Sequence, residues 1–125
     1  MKIMVAVWSY VFIVFLSQFA LAQESETAKY SQKTLLKNWA LSRCLAVVYA
    51  DPTTKNDANA TASAYLEYGK VSIEAYDELS ALVNNYAKRS YGGSIKSDYN
   101  TMKCIDMFQS KELDRLANKL SKPQK

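Results

Sequence analysis

An all-α bundle of about five short helices is the architecture this sequence predicts. Apolar residues return at spacings of three and four along most of the chain, and no segment alternates convincingly as a strand would. Only three glycines and two prolines interrupt 125 residues. Pro52, Gly69 and the Gly92-Gly93 pair fall between periodic stretches and separate helices, while Pro123 lies in the tail.

The first element is a leader rather than part of the bundle. Lys2 opens a short positive start, an apolar run follows over residues 3–16, and Ala20-Leu21-Ala22 is a small-residue cleavage site. The alternative is a retained membrane anchor, since residues 3–22 reach the length of a span. Ser17 and Gln18, the cleavage site and the acidic sequel at Glu24 and Glu26 favour cleavage. Position 23 is Gln, so the lipid-bearing cysteine of a lipoprotein is missing there. The predicted layout is a signal peptide over 1–22, a flexible leader over 23–33, a helical domain over 34–120 and a frayed basic tail over 121–125. The mature chain of 103 residues holds one small domain.

The first predicted helix carries Leu35, Trp39, Leu41, Cys44, Leu45 and Val48 along its inner stripe. Asp51-Pro52 ends it, because proline cannot continue the hydrogen bonding and restricts the residue before it. Residues 52–56 read as the connection. Asn56 or Asp57 then caps a second helix rich in alanine, with Gly69 as its stop. Its small residues suit a tight helix pair or a close partner. Ser72 is the expected cap of a third helix lined by Ile73, Tyr76, Leu79, Val83 and Tyr86, whose acidic first turns suit the helix dipole.

After Lys88 the helical repeat stops. Ser90, Tyr91, Gly92, Gly93, Ser94, Ile95, Lys96 and Ser97 form a loop around the only adjacent glycines. One reading is a simple connector whose glycines permit a turn. The other is an insertion finger, because Tyr91 and Ile95 are larger and more apolar than a connector needs and Lys96 adds a charged tip. Ser97 or Asp98 caps a fourth helix through Met102, Cys104, Ile105 and Phe108. Ser110 opens a fifth, with Leu113, Leu116 and Leu120 on one side and charged residues on the other.

Composition removes most chemistry. The chain has no histidine and only two cysteines, Cys44 and Cys104. Ser-His-Asp and Cys-His catalysis, an ordinary zinc site and an imidazole switch are therefore excluded. No phosphate-cradling glycine motif is present, and no cofactor or metal is expected. In an exported chain the two cysteines allow one intramolecular bridge; two unpaired buried thiols are the alternative. The net charge of +4, or +3 once Lys2 is removed, is too mild to imply nucleic acid. Eight of the nine tyrosines lie beyond the predicted signal peptide and supply amphipathic aromatic surface for core edges or a protein interface. Carboxylate catalysis remains formally open through Glu74 and Glu78, although that spacing is ordinary on an exposed helix.

The segments KNWALSRCL (37–45), DANATASAYLE (57–67) and NTMKCID (100–106) resemble those of the type VI secretion amidase immunity proteins, the family paired with the fourth class of amidase effectors. The resemblance runs from about Thr34 to Leu120 and preserves order and spacing. It implies a helical, often homodimeric periplasmic antidote of a Gram-negative bacterium. The implied partner is a cysteine peptidase that cuts peptidoglycan stems, blocked by a loop pushed into its catalytic groove. On this chain the loop is residues 90–97, with Tyr91 and Ile95 filling the cleft, Gly92 and Gly93 allowing close approach, and Lys96 meeting acidic groups. Glu67, Glu74, Asp77 and Glu78 are the candidates for a second contact or a dimer surface. The rival classes are a small periplasmic hydrolase using carboxylates, which would cleave peptidoglycan alone, and a structural or chaperone-like helical module, which would lack one tight enzyme partner.

Overall fold

A computed structural model describes residues 23–123; the predicted signal peptide and the last two residues of the tail lie outside the described residues. A short 3-10 turn, Glu26–Lys29, precedes five α-helices: α1 Gln32–Val48, α2 Pro52–Glu67, α3 Glu74–Ala87, α4 Asn100–Gln109 and α5 Lys111–Leu120. No strand occurs among the described residues, and no helix there is long and apolar enough to cross a membrane.

α1 is the central helix, packed against the other four. Its start is fixed by Ser31, whose side chain accepts from the Thr34 N–H at 3.1 Å. The same device opens α5, where Ser110 accepts from the Leu113 N–H at 3.0 Å, as an N-cap hydroxyl does for the unpaired donors of a first turn. At the other end of α1 the unpaired carbonyls are taken by distant residues. Lys55 donates to the Ala46 carbonyl at 2.8 Å and Asn100 Nδ2 to the Val48 carbonyl at 3.1 Å. Lys55 thereby binds α2, and Asn100 α4, to the same helix end.

Of the residues expected inward, Leu35, Trp39 and Cys44 on α1, Tyr76, Leu79, Val83 and Tyr86 on α3, and Leu113 and Leu120 on α5 are buried. Leu41, Leu45, Val48 and Leu116 are only partly buried against the core. Leu36, Leu79, Val83, Met107 and Leu113 are fully buried, and Trp39 meets Tyr76 edge-on with ring centroids 4.9 Å apart. On α2 the inward residues are Ala58 and Ala62, and their small side chains let α2 lie close to α1. Cys44 on α1 and Cys104 on α4 are completely buried and joined by a disulfide, with Cα atoms 5.6 Å apart. Closing a loop of 60 residues contributes about 4 kcal/mol in the chain-entropy account.

Several boundaries differ from the sequence reading, each for a local reason. α2 begins at Pro52 rather than after residue 56, because Asp51 accepts from the Thr54 N–H at 2.9 Å and Pro52 occupies the first turn, where its missing N–H costs nothing. Gly69 is needed for space rather than for a left-handed stop, since its φ is not positive and a Cβ there would meet the Tyr76 hydroxyl. Ser72 does not cap α3; it hydrogen-bonds the Glu74 carboxylate while its carbonyl accepts from Ala75 N–H. Ile73, expected in the core, is 65% exposed. The polar stretch before α1 contains the 3-10 turn with Thr27 buried, and α1 starts two residues before position 34.

Candidate binding loop

α3 and α4 are joined by residues 88–99, a segment without regular secondary structure. Its first limb leaves α3 under Arg89, whose guanidinium lies over the buried Tyr86 ring at 3.5 Å from the centroid. Arg89 also hydrogen-bonds Tyr91, which holds the guanidinium pKa above its ordinary value. Tyr91 in turn donates its hydroxyl to Asp106 Oδ2 at 2.6 Å, across to the middle of α4. That bond holds the Tyr91 phenol above its ordinary pKa, with burial adding to the effect.

The second limb returns to α4 through Tyr99, the one described non-glycine residue in the left-handed region, at φ 53° and ψ 38°. Such a conformation costs about 1–2 kcal/mol for a residue with a side chain. The turn is supported by Ser97, whose hydroxyl accepts from the Tyr99 N–H at 3.1 Å. The Tyr99 ring folds back along the loop. Its hydroxyl accepts from the Ile95 N–H at 3.2 Å and donates to the Ile95 carbonyl at 2.6 Å.

Between these limbs stand Gly92, Gly93, Ser94, Ile95, Lys96 and Ser97, all exposed. Ile95 is 74% exposed, the most exposed of the large hydrophobic side chains described. Burying such a side chain is worth about 1.5–3 kcal/mol, so its position on the surface is a standing offer to a partner. The sequence reading put Tyr91 and Ile95 together as cleft-filling residues. The geometry separates them: Ile95 faces outward, whereas the Tyr91 hydroxyl is engaged with Asp106 and its side chain is half-buried. The two glycines separate as well. Gly92 faces open space, while a Cβ on Gly93 would lie 2.6 Å from the Tyr99 Cζ, so Gly93 makes room for the loop's own tyrosine.

The acidic candidates do not form one patch. Glu67 closes α2, whereas Glu74 and Glu78 line a groove with Gln32, Lys70 and Leu120, and Asp77 lines a different one with Ile73, Leu66 and Arg43. Glu78 already has a partner, Lys119 at 3.2 Å. Tyr99 and the outer side of α4 escaped the sequence reading. Met102 and Ile105, read as part of the fourth helix without a face assigned, are exposed and line a cleft of about 610 Å³ with Tyr49 and Tyr99 at the foot of the loop. The helical phase set by buried Cys104 and Met107 holds the signal, since Met102 and Ile105 fall on the opposite side.

Among the described residues no group of three or more His, Cys, Asp or Glu is placed to hold a metal, and the cysteines are bridged. Three carboxyls have displaced titrations and all move down. Asp51 is lowered by the Thr54 N–H, Glu74 by its own N–H and Ser72, and Asp114 by Lys33 and Lys37. A general acid for glycoside cleavage needs the opposite displacement.

The sequence model of a family described as type VI secretion system amidase immunity protein matches residues 34–117. No curated protein matches the chain. Among solved structures, a chain from the effector–immunity system Tae4/Tai4 of Salmonella typhimurium is 58% identical, with a TM-score of 0.74, covering 77% of this chain and 95% of that one. A chain from a structure of type VI-secreted toxins and self-resistance proteins in Serratia marcescens is 30% identical, with a TM-score of 0.72, covering 83% and 87%. A third, from the complex of Salmonella typhimurium Tae4 with Enterobacter cloacae Tai4, shares the fold at 24% identity and a TM-score of 0.67, covering 76% and 98%.

Proposed function

The chain belongs to the type VI secretion system amidase immunity family, and from that premise we propose that residues 90–97 enter the catalytic groove of a peptidoglycan amidase effector and block it. It is an immunity protein and not an enzyme. Its partner on this reading is a Tae4-like amidase, the effector of the solved system with which it shares 58% identity.

The exposure of Ile95 on a loop tied down at both ends carries this reading. Folding gains nothing from an isoleucine in that position. In an enzyme cleft the side chain would displace water and gain its transfer energy on binding, while Lys96 beside it would steer toward acidic groups at the rim. The bridged cysteines stay out of the reaction, leaving the reactive cysteine to the amidase. Work at the cell wall requires export, and the leader over 1–22 with its Ala20-Leu21-Ala22 site supports cleavage and a periplasmic mature protein whose immunity domain spans 34–120. The family resemblance extends the proposal to a homodimer, with the groove of Glu74 and Glu78, or separately Glu67 or Asp77, at a second contact or its seam.

The test is inhibition of a Tae4-like amidase, measured as muropeptide hydrolysis against increasing mature protein. Complete inhibition near one equivalent is expected, weakened by Ile95→Ala. Full hydrolysis at saturating protein would remove the inhibitor reading. Mass measurement of the periplasmic protein checks cleavage before Gln23, and sedimentation checks the dimer.

A further inference from the structure

We propose that Tyr99 is a positioning residue of the inhibitory loop: its left-handed backbone and its paired hydrogen bonds to Ile95 hold the loop in binding geometry before any partner arrives. This inference rests on the loop being the inhibitory element. It concerns a residue outside residues 90–97, at the junction with α4.

The argument starts from what Tyr99 fails to do for the helix. It occupies the N-cap of α4, where a Ser, Thr, Asp or Asn would accept from a first-turn N–H, yet it makes no side-chain capping bond. Ser97 and Asp98 stand immediately before it and neither occupies that position. The residue at the cap instead adopts a conformation disfavoured for a tyrosine and sends its ring away from the helix. Every side-chain hydrogen bond it makes goes to one residue, Ile95, through both the N–H and the carbonyl.

These two bonds close a ring from the α4 N-terminus through the Tyr99 side chain to the Ile95 backbone. Gly93 lies against the same aromatic ring, and its missing Cβ leaves the space the ring occupies. Tyr91 secures the opposite limb on Asp106 of the same helix. The platform under both limbs is firm, because α4 is bridged to α1 at Cys104 and tied to the end of α1 by Asn100. A continuous path of covalent and hydrogen bonds therefore leads from the centre of the core to the backbone of Ile95. Its consequence for binding is kinetic and entropic: an ordered loop loses less freedom when it docks, and more encounters find it in the right shape.

The experiment compares wild type, Tyr99→Phe and Ile95→Ala as full mature proteins. Amide hydrogen exchange reports the brace in the free protein, and stopped-flow association and inhibition of the amidase report its use. In wild type the Ile95 amide should exchange more slowly than that of Lys96. Tyr99→Phe should abolish the difference, leave the thermal midpoint unchanged, and weaken inhibition about tenfold, mainly through slower association. Equal exchange at Ile95 and Lys96 in wild type would overturn the brace. Faster exchange in Tyr99→Phe with undiminished inhibition, while Ile95→Ala inhibits poorly, would overturn its role. Undiminished inhibition by Ile95→Ala as well would instead show that the loop is not the inhibitory element, and the role assigned to Tyr99 would fall with it.

Discussion

The bridged seam between α1 and α4 and the loop that ends at the N-terminus of that same α4 are ordered by different interactions. Around Cys44 and Cys104 the side chains are fully buried and apolar, and many neighbours share the load. Along residues 88–99 most side chains are exposed, and order comes from a few hydroxyls and one cation over a ring. Burial is cooperative, so removing a core contact is felt by the whole domain. The loop bonds are local, so removing one changes the shape of the loop while the helices stand. With the loop as the proposed inhibitory element, stability and inhibition fall to separate residues, and substitutions can address either alone.

The bridge is the harshest test of that separation. Replacing both cysteines with alanine should lower unfolding free energy by about 4 kcal/mol, read by denaturant titration, and this is a large share of the total for so small a domain. Inhibition measured well below the new melting range should survive, because packing against α1 and the Asn100 bond to the Val48 carbonyl still hold α4 under the loop. Its loss in a protein that remains helical would mean that the seam also sets the loop. Leu79→Ala is the apolar counterpart: it empties a completely buried site on α3 and should cost about 2–5 kcal/mol. Inhibition by the folded fraction should again be retained.

Ile95→Ala reverses the pattern. Three carbon groups leave the surface, where they contribute nothing to folding, so the thermal midpoint should stay in place. Inhibition should weaken by about 2 kcal/mol, roughly thirtyfold, if those groups are buried in the amidase. A lowered midpoint with unchanged inhibition would break the division of labour from the loop side.

The same division explains what was legible in the sequence. Periodicity exposes whatever recurs along a helix, so the bundle, the buried stripe of α1 and the position of the loop could all be read. The bridge could be read because two cysteines in an exported chain have one way to pair. Apolar character alone does not give direction: Ile73, grouped with the inner residues of α3, faces solvent, and so do Met102 and Ile105 on α4. Asp51-Pro52 was read only as an ending, while the same pair also caps and starts α2. Tyr91 and Tyr99 were the least legible. Their roles depend on partners fifteen and four residues away, Asp106 and Ile95, which meet them only once α4 and the loop are folded. Nothing in a tyrosine's neighbours along the chain marks it for a left-handed backbone.

The smallest effects expected are those of pH, and they too divide between the two regions. Asp51, which caps α2, and Asp114, which faces Lys33 and Lys37 of α1, titrate below their ordinary range in the folded protein, as does Glu74 at the start of α3. Each binds fewer protons folded than unfolded, so its contribution is present above the ordinary carboxyl range and is lost as pH falls through the folded value. The thermal midpoint should therefore hold nearly level from about pH 6 to 8, since no histidine titrates there, and decline below about pH 4. Tyr91 has the opposite sign: its phenol is held above the ordinary range by the bond to Asp106, so its contribution is complete below about pH 10 and disappears only above that. The helical body weakens in acid, whereas the loop loses its Asp106 tether in alkali. Ultraviolet titration of wild type against Tyr91→Phe resolves the second, and circular dichroism across the acid range the first. A midpoint that rises on acidification would contradict the carboxylate assignments, and a Tyr91 phenol that ionises below the other tyrosines would contradict the tether.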